Sequence, residues 1–181
     1  MPIFQLDKWD DSGFEYGRSK LFIFLWLLCQ DTIFRFSPVF CYGFRRWLLR
    51  RFGCKVGRHV IVRPNARLHY PWRIEIGDYS SIGDDVCLYS IAPIKIGDHS
   101  VISQKSFLCT AGHDYDDPHF KTQVKPILVG TGVWIAADVF VAPGVTIGDN
   151  AVIGARSSVF HNMPPGMVCY GYPCRPVKRR G

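Results

Sequence analysis

The amino-acid sequence predicts an all-β protein in which short parallel strands coil into a triangular prism. Three observations carry this prediction. An aliphatic residue recurs at every sixth position, the position after it is usually small, and the spacing of 21 positions from Leu108 to Val129 breaks the period. We divide the 181 residues into a helical segment 1–55, a prism 56–162 with an extruded loop 112–126, and a tail 163–181.

The six-residue period is the main evidence for the prism. It is weak from Val56 and clear from Ile76 onward. Period six matches neither a helix nor a single alternating strand, but it fits three short strands for each turn of a coil. One turn cannot bury its own apolar face, so stacked turns must supply the core. The predicted interior positions are Ile76, Ile82, Leu88, Ile96, Ile102, Leu108, Val129, Ile135, Val141, Ile147, Ile153 and Val159. The small residue after each of them is expected where the chain bends.

The composition indicates a folded globular protein, with 48% hydrophobic and 20% charged residues. The net charge is +7, but the basic residues cluster outside the repeat and no nucleic-acid motif is present, so we predict no nucleic-acid partner. The seven cysteines are odd in number and never spaced Cys-x-x-Cys, which favours free thiols in a reducing compartment. The start "MPIFQLDKWD" lacks the pattern of a signal peptide. We therefore expect a cytoplasmic protein.

The segment before the prism has two interpretations. Its run "LFIFLWLLC", residues 21–29, is too short to span a bilayer. The later stretch "VFCYGFRRWLLRRFG" is helix-like and interleaves four arginines with aromatic and leucine residues. Such a helix can lie on an anionic membrane surface, here the inner face, or it can be a lid that packs its apolar side on the end of the prism. The two interpretations are compatible and both stay open.

Three stretches carry a resemblance to a known family. The segments "IGDYSSIGDD", "VFVAPGVTIGDNAVIGARSSV" and "GYPCR" resemble the hexapeptide-repeat acyltransferases over roughly residues 45–181, most closely the acetyltransferases of colanic-acid and other exopolysaccharide gene clusters. The resemblance implies a left-handed parallel β-helix, acetyl-CoA as donor, a sugar hydroxyl or lipid-linked oligosaccharide as acceptor, and a homotrimer with donor sites between neighbours. Two alternatives remain. One is the same fold acting on an amino sugar, serine or an antibiotic, and the other is a non-catalytic β-helix used for assembly.

The loop "TAGHDYDDPHF" supplies the candidate catalytic base. Transfer of an acyl group to a hydroxyl needs a group that removes the hydroxyl proton, and an imidazole suits this near neutral pH. The resemblance assigns that role to His113, which follows Gly112 at the mouth of the loop. Its orienting partner stays open between an aspartate of the loop and a backbone carbonyl. His119 and Phe120 are given no chemical role, and His69 is interpreted as structural or surface. No pair of histidines has the spacing of the zinc enzymes that share this fold, so no metal is predicted.

The resemblance also implies donor and acceptor contacts. In "VWIAAD" it places Trp134 beside the thioester arm and the Ala137 amide at the acyl oxygen, although Trp134 could instead pack on a neighbouring subunit. Gly171 and Pro173 would hold the adenine end, and Arg175 and Lys178 its phosphates, unless the basic tail serves only solubility. Cys87 stands where relatives often carry asparagine. The small strip expected along the pantetheine arm is Ala136, Ala142, Gly154, Ala155 and Ser157. The predicted acceptor contacts are Asp84, Asp85, Tyr89 and Asp116.

Overall fold

Nineteen strands and a helical cap make up the computed structural model, which describes residues 4–9 and 15–181. The strands are β1 Lys55–Val56, β2 Ile61–Val62, β3 Arg67–Leu68, β4 Ile74–Ile76, β5 Ser81–Ile82, β6 Cys87–Tyr89, β7 Ile94–Ile96, β8 Val101–Ile102, β9 Phe107–Cys109, β10 Ala111–His113, β11 Thr122–Val124, β12 Ile127–Val129, β13 Trp134–Ile135, β14 Phe140–Val141, β15 Thr146–Ile147, β16 Val152–Ile153, β17 Ser158–Val159, β18 Met167–Gly171 and β19 Cys174–Arg179. Two short 3₁₀ turns cover Leu6–Lys8 and Pro71–Arg73.

The strands form the three faces of a parallel β-helix of about six turns. Face one holds β1, β4, β7, β12 and β15, face two holds β2, β5, β8, β13, β16, β18 and β19, and face three holds β3, β6, β9, β14 and β17. A full turn takes 20 residues before the hairpin, where Ile76 pairs with Ile96, and 18 residues after it, where Val129 pairs with Ile147. All the aliphatic positions predicted from the six-residue period are buried, which confirms the prism.

The small residues beside the anchors have a different cause from the bend that the sequence suggested. A Cβ on Gly77 would lie 2.6 Å from the backbone nitrogen of Asp98 in the next turn. The left-handed residue of this bend is Tyr79, with φ 58°, two positions further on. The Asp98 side chain in turn accepts a hydrogen bond of 2.7 Å from the Asp78 N–H. Glycine is therefore required at position 77 by the close approach of the next turn.

A helical cap covers the first turn of the prism. Helix α1 spans Lys20–Cys29 and begins after Ser19, whose hydroxyl accepts a hydrogen bond from the Phe22 N–H. A π-helical turn Gln30–Phe34 follows, and helix α2 spans Tyr42–Arg51. Trp26 and Leu49 are fully buried in one core with the prism, so the lid interpretation of this segment is confirmed. Among the described residues, no helix has the length and apolarity that a bilayer crossing requires.

The cap also satisfies the backbone of the first turn. In later turns each strand carbonyl accepts a hydrogen bond from the turn before, as Ile76 does from the Gly57 N–H at 2.8 Å. The first turn has no preceding turn, and side chains of the cap donate instead. The three pairs, one on each face, are Arg50 with Val56, Arg45 with Val62 and Trp26 with Leu68, at 2.8, 2.6 and 2.8 Å.

Arg45 differs from the other arginines of α2 because it is buried. Its side chain is completely buried, and desolvation lowers its pKa from the ordinary arginine value. The guanidinium donates to the carbonyls of Val62, Pro38 and Val39 and to the Ser37 hydroxyl. Burial of the charge is tolerated here because the guanidinium donates hydrogen bonds to these four oxygens and also lies over the Tyr42 ring.

Replacing Arg45 by methionine should lower the free energy of unfolding by roughly 3 kcal/mol, because the change strands several buried carbonyl oxygens. Urea denaturation followed by circular dichroism measures the effect. The matched control is Arg51→Met on the same helix, where the side chain is exposed and lies over the Trp47 ring. We expect the control to change stability by less than about 0.5 kcal/mol. Equal losses in the two variants would contradict this account of Arg45.

The interruption of the period is an antiparallel hairpin rather than an irregular loop. Strands β10 and β11 pair with Ala111 opposite Val124 and His113 opposite Thr122. The hairpin leaves the prism at the corner between faces three and one, after β9 and before β12. His113 therefore sits on a strand, where backbone pairing fixes its position.

The tail is part of the β-helix. Strand β18 pairs in parallel with β16, and β19 folds back antiparallel on β18. Cys169 and Cys174 from these two strands are buried in the core. Residues 167–179 therefore extend face two, and the basic side chains of the tail are carried on a strand.

Candidate active site

His113 is held by two contacts with one residue of its own hairpin. Its Nδ1 lies 3.1 Å from the Phe120 carbonyl oxygen. The two rings stack with centroids 4.2 Å apart and planes 8° from parallel. The backbone of Phe120 has φ 48°, a left-handed conformation that bulky residues adopt rarely. This turn geometry brings the ring and the carbonyl of Phe120 to the same imidazole.

The bond to Phe120 fixes the tautomer of the neutral imidazole. A carbonyl oxygen can only accept, so Nδ1 must carry the proton. In the neutral ring, Nε2 then keeps its lone pair free to accept a proton. The side chain of His113 is exposed, so that nitrogen is accessible from outside the hairpin. The question of the orienting group is thereby answered in favour of a backbone carbonyl.

The aspartates of the hairpin have structural contacts of their own. Asp114 accepts hydrogen bonds from the Asp116 N–H and from the Gln123 side chain, each at 3.1 Å. Asp117 forms an ion pair with Lys121 at 3.1 Å. Asp116 itself is exposed. These contacts shape the hairpin tip around Asp114 and Asp117.

The stretch 4–9 lies against this hairpin. The Phe4 ring packs on Phe120 with centroids 4.5 Å apart, and the Gln5 N–H donates to the Pro118 carbonyl at 3.1 Å. Phe4, Phe120 and His113 thus form a series of stacked or tilted rings. Phe120 was given no chemical role from the sequence and Phe4 was not singled out, because their contact depends on the hairpin register.

A cavity of about 300 Å³ opens beside His113. Tyr89 is the one predicted acceptor residue that lines it. The turn spacing of 20 residues could have revealed its neighbour, because His69 and Tyr89 are that far apart and their rings lie 4.7 Å from each other. The other side chains and backbone groups that line the cavity belong to Trp9, Tyr16, Tyr70, Ile91, Ala111, Gly112 and Thr122.

Three titratable groups of this cavity, Tyr89, Tyr70 and His69, favour their neutral forms. Burial raises the pKa of Tyr89 and of Tyr70 above the ordinary tyrosine value, so both keep their hydroxyl protons at neutral pH. Burial, and secondarily the charge of Arg67, lowers the pKa of His69, which keeps that imidazole neutral. The cavity therefore offers hydroxyl groups and aromatic faces rather than fixed charge from these side chains.

Two predicted acceptor residues lie elsewhere in the chain. Asp84 forms an ion pair with Arg63 at 2.8 Å. Asp85 follows it at the corner between faces two and three, with φ 57°. The structure does not bring either carboxylate to the cavity beside His113.

Most of the predicted donor residues lie at the corner between faces two and three. Trp134 lies on face two, half-exposed, and its Nε1 donates to the Ser103 hydroxyl at 3.0 Å. Ala136 and Ala137 follow at the corner between faces two and three. Within the described residues, no acceptor is found for the Ala137 N–H. The corner thus combines an exposed aromatic ring with an available backbone donor.

The next turn continues this corner with Gly154, Ala155 and Ser157. Ala155 is exposed, whereas the Ser157 hydroxyl is buried and accepts a hydrogen bond from the Gly171 N–H at 3.1 Å. A Cβ on Gly154 would lie 2.7 Å from the Cβ of Tyr170, so packing within the chain already requires glycine there. Ala142 stands apart, at the corner between faces three and one.

The predicted donor contacts of the tail lie in the turn before β19 and on β19 itself. Gly171, with φ 117°, and Pro173 form the turn between β18 and β19. Arg175 and Lys178 are exposed on β19, while Arg180 donates to the Gly132 carbonyl at 2.9 Å. With Arg179, the ordered strand thus holds three exposed cations beyond the Gly171 turn.

His113 and Ala137 lie at different corners of one chain. The hairpin leaves between faces three and one, and Ala137 follows β13 between faces two and three. A depression of about 970 Å³ runs along face one, which borders the corner of the hairpin and lies opposite the corner of Ala137. One chain therefore presents the two candidate groups on separate edges of the prism.

Stacked six-residue rungs and a histidine-bearing hairpin define this chain as a solenoid transferase of the hexapeptide-repeat class. Residues 126–161 match the family model described as bacterial transferase hexapeptide (six repeats). The chain belongs to the hexapeptide-repeat acetyltransferases. It is 49% identical over 176 residues to a putative colanic acid biosynthesis acetyltransferase of Escherichia coli, which covers 94% of this chain and 97% of that protein.

Solved structures agree with this assignment. A maltose O-acetyltransferase from Clostridium difficile superposes with a TM-score of 0.80 and 29% identity, covering 92% of this chain and 91% of that one. A hexapeptide-repeat acetyltransferase from Vibrio cholerae, in complex with acetyl coenzyme A, gives a TM-score of 0.77 and 28% identity, covering 91% and 92% of the two chains. Both similarities extend over the helical cap as well as the prism.

Proposed function

We propose that this acetyltransferase moves an acetyl group from acetyl-CoA to a sugar hydroxyl during exopolysaccharide synthesis, with His113 as the general base. One observation carries the proposal. The Phe120 carbonyl holds the Nδ1 proton of His113, so Nε2 is free to accept a proton beside the aromatic-lined cavity. The similarity to a colanic acid biosynthesis acetyltransferase indicates the type of polymer.

The reaction follows from this arrangement. The acceptor hydroxyl oxygen attacks the thioester carbonyl carbon while Nε2 of His113 takes the hydroxyl proton. The carbonyl oxygen becomes an oxyanion that the Ala137 N–H would bind. Collapse of this intermediate breaks the carbon–sulfur bond, and the sulfur leaves with the proton held by the imidazolium. The products are the acetyl ester and free CoA, and His113 returns to its neutral form.

The cavity beside His113 suits an uncharged acceptor. Tyr70, Tyr89 and His69 are neutral at physiological pH for the reasons given above, and Trp9 and Tyr16 add aromatic faces. Sugar rings present apolar C–H faces and hydroxyl groups, which such a surface can stack on and hydrogen-bond. The described lining contains no carboxylate that would hold the ammonium group of serine or of an amino sugar.

The second corner suits the acyl donor. Trp134 offers an exposed ring and Ala137 a backbone donor. Ala155 offers a small exposed side chain along the path that the pantetheine arm would take. Arg175 and Lys178 would meet the nucleotide phosphates near the Gly171 turn. Glycine at 154 would serve the same path, although contact with Tyr170 accounts for it independently.

A homotrimer would unite the two corners. Because His113 and Ala137 lie on separate edges of one prism, a site that uses both needs groups from two chains packed side by side. Three chains around an axis would give three such sites, each with the hairpin of one chain against the donor corner of the next. Face one, which borders the corner of the hairpin, carries the open depression described above and is a surface on which such packing can occur.

A transfer assay with defined acceptors tests the proposed function. We expect release of CoA thiol from acetyl-CoA to rise when a neutral sugar of an exopolysaccharide repeat unit is added, and mass spectrometry to find one acetyl ester on the product. Serine and an amino sugar serve as matched acceptors that carry an ammonium group. Thiol release that rises only with those amines, or with no acceptor in the panel, would refute the proposal.

A further inference from the structure

Helix α1 is apolar on the side that faces away from the protein. Its inner side packs on the prism through Trp26, as described above. A soluble helix normally carries polar residues on its opposite side. Here that side is formed by Leu21, Phe24, Leu25 and Leu28, whose exposed fractions are 67, 60, 45 and 51%. The sequence contains no polar face for this helix between residues 21 and 29.

The exposed apolar residues continue beyond α1. Helix α2 turns Arg45 and Leu49 toward the prism, so Trp47 faces away and is 54% exposed. Phe36 and Phe40, between the helices, are 80% and 78% exposed. Because both helices cover the same end of the prism, their outer sides share that end. We call the set Leu21, Phe24, Leu25, Leu28, Phe36, Phe40, Phe44 and Trp47 the cap surface.

Positive charge accompanies the cap surface. Residues 15–53 contain seven arginines and lysines against Glu15 and Asp31, a balance of +5 out of +7 for the chain. Asp31 is paired with Arg67 at 2.8 Å. The Arg51 guanidinium lies over the Trp47 ring, 5.9 Å from its centroid. Exposed leucine and aromatic side chains flanked by cations are the composition of helices that lie in the headgroup region of anionic bilayers.

We propose that the cap surface docks on an anionic lipid bilayer, with α1 lying in the plane of the headgroups. A second copy of this chain is a poorer occupant, because joining two cap surfaces would bring together two segments that each carry +4 even without the buried Arg45. The proposal does not depend on which acceptor the enzyme uses. It would place the candidate site close to the lipid surface. The hairpin leaves the third turn of the prism, which lies about 10 Å from the first turn at the usual strand spacing.

Flotation with lipid vesicles tests this docking. The full-length protein is mixed with vesicles of equal parts phosphatidylglycerol and phosphatidylcholine, or of phosphatidylcholine alone, and spun through a density gradient. We expect flotation with the anionic vesicles that weakens with added salt, and little with the neutral ones. The variant Leu21→Ser with Phe24→Ser should bind the anionic vesicles at least about tenfold more weakly.

The matched control is Leu6→Ser, because Leu6 is 66% exposed, as Leu21 is 67% exposed, but lies outside the cap surface. We expect the control to float as the wild-type protein does. Thermal unfolding establishes that all three proteins are folded. The proposal is overturned if the wild-type protein ignores anionic vesicles, if the cap variant floats like the control, or if sedimentation shows that the cap surface instead joins copies of the chain.

Discussion

Replacing His113 by alanine is expected to lower kcat for acetyl transfer at least about a hundredfold while leaving the fold intact. The loss follows from the chemistry, because the imidazole would be the group that takes the hydroxyl proton. The fold should survive because His113 is exposed and, among the described residues, the bonded and stacked partner of its ring is Phe120. Steady-state kinetics with a saturating acceptor, together with thermal unfolding, measures both effects.

His119→Ala is the matched control for this experiment. His119 is an exposed histidine of the same hairpin, and its backbone N–H rather than its ring is bonded to Asp117. We expect the control to keep near wild-type kcat. If His113→Ala retains more than about a tenth of wild-type kcat, the general-base assignment fails, given the usual size of that effect.

The second large effect is expected from Ala137→Pro, which removes the backbone N–H of residue 137 while the side chain that it replaces is only a methyl group. Ala137 precedes Asp138, which has a left-handed φ of 60°. Six residues later, Pro143 holds the same position before Gly144, with φ 82°. Proline is therefore already accepted at the equivalent turn position of this chain. Loss of an oxyanion donor should lower kcat by about 10²- to 10³-fold.

Gln104→Pro provides the control for Ala137→Pro. Gln104 holds the same position in the preceding turn, before Lys105 with φ 62°. Proline there should leave kcat within about twofold of wild type, since no role in transfer falls on that amide. An active Ala137→Pro variant, or equal losses from both prolines, would remove Ala137 from the proposed mechanism.

The two inactive variants together test the shared site. In a cyclic trimer assembled at random from His113→Ala and Ala137→Pro chains, a site is complete where an intact hairpin meets an intact donor corner. Co-expression in equal amounts should therefore restore about a quarter of wild-type activity. Activity no higher than that of either variant alone would show that each chain works with its own two corners.

The interior of the prism was predictable from sequence because each turn repeats the same burial requirement. Ile76 and Ile96 stack directly, so a period in the sequence is also a period in space. The cap and the site depend on contacts that do not repeat. The sequence pattern does not distinguish Arg45 from the other arginines of α2. Its burial follows only from the contact of α2 with Val62. The orienting group of His113 follows only from the hairpin register that places Phe120 beside it.

The acceptor cavity was predictable from the sequence only in part. His69 and Tyr89 are one turn apart, so their contact was implied by the 20-residue turn. Trp9 and Tyr16 reach the same cavity from the segment before the prism, where no period operates. The resemblance assigns Asp84 and Asp85 to the acceptor, and within one chain they lie at the corner between faces two and three, away from that chain's own His113. In the proposed trimer this is the corner that meets the hairpin of the next chain.

The donation of Arg50, Arg45 and Trp26 to the first turn bears on how the protein avoids self-templated aggregation. A β-helix ends in open strand edges, and an uncovered edge can recruit the strand of another molecule and grow into a filament. Here a guanidinium or an indole already occupies a carbonyl on each of the three faces. The helical cap thereby terminates a structure that could otherwise lengthen without limit, and it keeps the enzyme a discrete particle in a crowded cell.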